Sequence, residues 1–79
     1  MRNGHKIGRY HAIVKKMYAD GSHDYETDFC SRADLLETVA ALNRCVGKTV
    51  GIATDTPRVL AGYQVIRGRD AINREIYGK

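Results

Sequence analysis

Tryptophan is absent from this chain of 79 residues, proline and phenylalanine occur once each, and cysteine occurs twice. A single proline belongs to an ordinary globular composition. Two cysteines, Cys30 and Cys45, are too few for a disulfide scaffold and do not form a CxxC pair. They read as reduced, buried thiols of a cytoplasmic protein, with one disulfide across a strand–helix junction left open. No apolar run approaches the roughly 18 residues of a membrane span. The first six residues are polar and basic with no apolar stretch after them, so they do not read as a signal peptide. What is present is ordinary for a folded protein: 43% hydrophobic and 28% charged residues, too apolar and with too small a net charge for disorder. The length suits one compact domain over residues 1–79, with 1–8 as a mobile N-terminal arm.

Charge is unevenly distributed. Between Asp20 and Glu37 the chain carries −5, and the remaining positions carry +9, for a total of +4. Such a field orients charged partners.

Periodicity divides the chain into six elements. Arg9 to Ala19 reads as a strand whose alternation is blurred by Lys15 and Lys16, and Asp20-Gly21 is a hairpin signal. In the second strand His23, Tyr25, Thr27 and Phe29 share one face, and Asp24, Glu26 and Asp28 share the other. A three-residue loop, Ala19-Asp20-Gly21, puts Ile13 and Met17 on the face of Tyr25 and Phe29 and sets Lys16 opposite Asp24. A two-residue turn is the alternative. Ser31 then reads as a helix N-cap with Asp34 as a capping acid. Leu35, Val39, Leu42 and Val46 form the apolar stripe, and Gly47 is the left-handed stop. A third strand spans Thr49 to Thr54, Asp55-Thr56-Pro57 is a turn, and a fourth strand runs from Val59 to Arg67. Gly51 and Gly62 mark a bulge or a close backbone approach. Asp70 is placed to cap a last helix, Ala71 to Tyr77, anchored by Ile72 and Ile76. The expected fold is α+β: a four-stranded antiparallel sheet with one main helix packed on one face, in the order ββαββα.

Chemical motifs are few. Gly47-Lys48-Thr49 matches the tail of a phosphate-binding loop, but it follows a helix and precedes a strand, the reverse of what that loop requires. His5, His11, His23, Cys30 and Cys45 match no zinc-ligand spacing, so no metal or cofactor is expected. Gly21-Ser22-His23-Asp24-Tyr25 resembles the glycine-serine-histidine strand start of the HicA family of small messenger-RNA-cleaving toxins. That resemblance implies His23 as general acid or base. HicA-like chains place a helix before this strand, whereas a strand precedes it here. The competing assignment, which we adopt, is a turn serine and a cross-strand histidine, with no catalytic residue and no enzymatic activity.

Two charged surfaces remain as candidates. The first is the row Asp24, Glu26 and Asp28, read as an exposed face that either stays wet or docks onto a basic partner. The second joins Arg2, Lys6 and Arg9 to Arg67, Arg69 and Arg74 if the last helix packs beside the first strand, with Tyr10 or Tyr77 nearby. A basic patch with an aromatic is the footprint of phosphate-led DNA or RNA binding. In architecture, from Tyr10 to Arg67, the chain is similar to the small phage-encoded inhibitors of bacterial defence, the anti-CRISPR proteins. That similarity implies a non-enzymatic inhibitor binding a bacterial protein or nucleoprotein effector in the host cytoplasm, away from membranes. It carries over no functional residue. A small nucleic-acid-binding regulator is the alternative, and a homodimer through an exposed strand edge is open.

Overall fold

The computed structural model describes residues 7–51 and 57–78. In chain order these form β1 (Ala12–Tyr18), β2 (His23–Glu26), α1 (Arg32–Cys45), β3 (Thr49–Val50), β4 (Arg58–Arg67) and α2 (Arg69–Tyr77). The class is α+β: one four-stranded antiparallel sheet, ordered β2-β1-β4-β3, and two helices.

The hairpin has the register argued from charge: Lys16 pairs with Asp24, Lys15 with Tyr25 and Met17 with His23. Gly21 takes φ +90° in the turn, a conformation in which a Cβ would be strained. The Ser22 N–H donates to the Asp20 carboxylate (2.9 Å), an Asx-type closure.

β1 lies between β2 and β4, and a helix covers each of its faces. On one face Ala12 and Val14 pack with Phe29 and with Leu35 of α1, joined by Val39, Leu42, Tyr63 and Val65. On the other, Ile13 packs with Ile66 and with Ile72 of α2, joined by Ile7, Tyr25 and Ile76. A strand buried on both sides needs a continuous apolar run rather than alternation, and Ala12-Ile13-Val14 is such a run, each residue at 0% exposure. Full burial of side chains like Ile13 and Val14 stabilises the fold by about 1.5–3 kcal/mol each.

The placement of the helices corrects the sequence reading. α1 lies on the face that also carries Asp24 and Glu26, not on the Tyr25 face, and α2 covers the Tyr25 face. Phe29 was expected beside Tyr25. Instead β2 ends at Glu26, and Phe29 joins the α1 cluster. The first strand also starts later than expected, at Ala12. The Ala12 N–H bonds back to the Tyr10 carbonyl (2.7 Å), and Gly8 and Tyr10 donate to the carbonyls of Thr27 (3.1 Å) and Phe29 (3.0 Å). Gly8 is required there, because a Cβ at this position would stand 2.2 Å from the Phe29 carbonyl oxygen.

β4 carries the irregularity that Gly62 announces. Met17 pairs with Gly62 but Tyr18 pairs with Leu60, so Ala61 is an extra residue. This bulge lets Leu60 and Tyr63 both face α1. Gly51 meets the second expectation, close approach, with its absent Cβ 3.0 Å from the Pro57 Cα. The rest of the expected third strand and the Asp55-Thr56 turn lie outside the described residues.

α1 begins as read: Ser31 Oγ accepts the Asp34 N–H (3.3 Å), while Asp34 accepts the Cys30 N–H (3.1 Å), one residue earlier than in a standard capping box. Gly47 follows the helix at φ +85°. α2 differs at its start. Its N-cap is Gly68, and Asp70 sits in the first turn, where its charge suits the helix dipole without capping.

Candidate functional site

Folding uses much of the acidic row. Asp24 accepts hydrogen bonds from Arg58 Nη2 (2.7 Å) and the Tyr18 hydroxyl (3.1 Å). The same guanidinium donates to Ser22 Oγ (3.2 Å) and lies 3.9 Å above the Tyr18 ring. Burial alone would raise the Asp24 pKa, but the bonds from Arg58 and Tyr18 outweigh it and hold the carboxyl below its ordinary value. Glu26 lies 3.4 Å from Lys16. Asp28 is exposed and lies beyond the end of β2, so the three acids are not equivalent members of one strand face.

A second charged group ties α2 to the sheet. Glu75 accepts the Tyr25 hydroxyl (2.7 Å) and pairs with Lys15 (3.1 Å). The Tyr25 hydrogen bond, then Lys15, lowers the Glu75 pKa, while burial and then Glu75 push Tyr25 up to about 12. A hydroxyl so hard to ionise is a donor, not a base. The exposed His23 packs edge-on against the Tyr25 ring at 5.1 Å. The adjacent lysines are thereby explained: they point to opposite faces, Lys15 to Glu75 on α2 and Lys16 to Glu26 on β2.

The arginines gather elsewhere. β1 and β4 pair as far as Ala12 and Arg67, and the Gly68 N–H then donates to the His11 carbonyl (3.0 Å). These bonds bring Arg9, His11, Arg67 and Arg69 to one end of the sheet, although they are almost sixty residues apart in the chain. All four side chains are exposed. Arg69 Nε donates to His11 Nδ1 (3.0 Å). Arg74 is exposed further along α2, and Tyr77 at its end is 46% exposed. Tyr10 packs against the α1 cluster and is not part of this surface. Arg2 and Lys6 lie outside the described residues. Among the described residues, the ion pairs involve Lys15, Lys16 and Arg58, and the arginines of this end have no carboxylate partner.

Sequence reasoning named the arginines but missed His11 as their companion. The signal was its position two residues after Arg9, opposite the Arg67-Gly68-Arg69 segment.

Among the described residues no three His, Cys, Asp or Glu side chains converge as a metal site. Cys30 and Cys45 are free thiols, but Cys30 is exposed and Cys45 half-buried rather than both buried as read from the sequence. They flank α1 and end it, about 20 Å apart at the helical rise per residue, far beyond disulfide reach. No helix of the described residues is long and apolar enough to cross a membrane. No family model matches the chain, and no curated protein or solved structure matches it either.

Proposed function

We propose that this chain is a non-enzymatic interaction protein whose working surface is the arginine end of the sheet, and that this end holds the phosphate backbone of a nucleic acid. One observation carries the reading: three exposed arginines, Arg9, Arg67 and Arg69, lie at one end of the sheet, and among the described residues none of them has a carboxylate partner. Guanidinium groups suit phosphate because their planar donors match its oxygens. The N-terminus of α2 adds backbone N–H groups of the right polarity beside Arg69. A nucleoprotein effector, the partner class implied by the likeness to anti-CRISPR inhibitors, presents the same phosphates. The acidic row supports that class less well, since Asp24 is engaged by Arg58.

The test is fluorescence anisotropy with labelled single- and double-stranded oligonucleotides across a salt series. Binding should weaken steeply as salt rises, and Arg67→Ala or Arg69→Ala should each lower the slope of log K against log salt by about 1. Absence of binding to both forms at low salt would overturn the reading.

A further inference from the structure

A recess of about 210 Å³ opens at the arginine end, lined by Ile7, His11, Arg69, Ile72 and Asn73. We propose that it receives one unpaired nucleobase, so that the nucleic acid this end holds is a single strand rather than a duplex. The inference rests on the phosphate-binding reading above and adds the form of nucleic acid and the residues that select it.

The chemistry of the lining supports this choice. Ile72, 3% exposed, forms an apolar floor with Ile7. Two flat groups line the recess, the Arg69 guanidinium and the His11 imidazole, held together by the 3.0 Å bond from Nε to Nδ1. Arginine has no acceptor, so in this bond Arg69 Nε donates and His11 Nδ1 accepts. Imidazole and guanidinium planes are surfaces on which single-strand-binding proteins stack bases. Asn73 is exposed and supplies both a donor and an acceptor, as the edge of a base requires.

Size and charge narrow the occupant. The recess is smaller than the roughly 300–1,000 Å³ pockets that enclose drug-sized ligands, so it takes one ring system and not a whole nucleotide. The attached sugar and phosphate would remain outside, at the end of the sheet that carries the exposed arginines Arg9, Arg67 and Arg69. Base-paired DNA keeps its bases in the stack, whereas a single strand can turn one out at little cost. Arg69, Asn73 and Tyr77 recur every four residues on α2, so the exposed Tyr77 ring continues the same stripe away from the recess.

The experiment compares a labelled single strand, its duplex, and the same single strand with one base after another replaced by an abasic sugar. The protein is used as parent and as Asn73→Leu, which removes the amide and narrows the recess at an exposed helix position. The parent should prefer the single strand, and one abasic position should weaken it about tenfold, the effect of losing one stacked base. Asn73→Leu should bind the intact strand as weakly as the parent binds the abasic one, with an unchanged salt slope. If single strand, duplex and abasic strand bind alike and Asn73→Leu matches the parent, the recess is no base site, although phosphate binding stands. If no nucleic acid binds at low salt, both readings fall.

Discussion

Replacing Gly8 with alanine tests how the chain entering β1 is held. Its ideal Cβ would lie 2.2, 2.6 and 2.7 Å from the O, N and C atoms of Phe29. These are backbone atoms, so no side-chain rotation relieves the contact. The segment must move away, breaking the bonds from Gly8 to Thr27 (3.1 Å) and from Tyr10 to Phe29 (3.0 Å). At about 0.5–1.5 kcal/mol each, their loss destabilises the protein by about 2 kcal/mol. A domain of this size should then melt about 8–16 °C lower. Thermal unfolding followed by circular dichroism measures the shift, and hydrogen exchange should show faster exchange of the Gly8-position and Tyr10 amides. Gly21→Ala is the contrast: its Cβ meets nothing within 4 Å but sits at φ +90°, so it strains the turn and leaves those two amides protected. A Gly8→Ala protein that melts with the parent and keeps both amides protected would refute the reasoning.

Further outcomes follow from the same contacts. Ile72→Ala should cost about 2–5 kcal/mol, because it removes the best-buried α2 side chain from the cluster with Ile13 and Ile66; urea unfolding measures it. Acid should destabilise the fold through Glu75 and Asp24, whose folded pKa values are lowered. Their contribution is complete above the ordinary carboxylate range and disappears as pH falls through the lowered values, from about pH 5 downward. Melting temperatures of the parent should therefore fall over that range more steeply than those of Glu75→Gln combined with Asp24→Asn, and parallel curves would count against both assignments. A thiol titration of the native protein should find the exposed Cys30 reacting faster than the half-buried Cys45, and mass measurement should find no intramolecular disulfide.

Much of the fold was legible because local rules decide it. Asp20-Gly21 and the Lys16–Asp24 pairing specify the hairpin and its register, and Ser31, the Leu35 stripe and Gly47 delimit α1. Tyr63 and Val65 share one face of β4 and Ile66 takes the other, as alternation demands. The errors arose where alternation stops being informative. Strand periodicity was extended through Phe29, but the chain leaves the sheet after Glu26 to pair with residues 8–10, and this returns Phe29 to the opposite side. The candidate acids were read as unexplained for a related reason. Arg58, the partner of Asp24, lies thirty-four residues away, and no spacing rule connects them.

Composition and periodicity by themselves determined the α+β class, the hairpin turn at Asp20-Gly21 and the excess of arginine near both ends of the chain. These depend on neighbouring residues and on the two periods of strand and helix. Which face each helix covers, which charges neutralise one another, and where arginines from opposite ends of the chain meet were decided only by the tertiary structure. Those outcomes depend on the β1–β4 pairing that brings Ala12 beside Arg67. A single phenylalanine, no tryptophan and two separated cysteines left the chain with neither covalent staples nor a large aromatic core. It depends instead on a central strand buried on both sides.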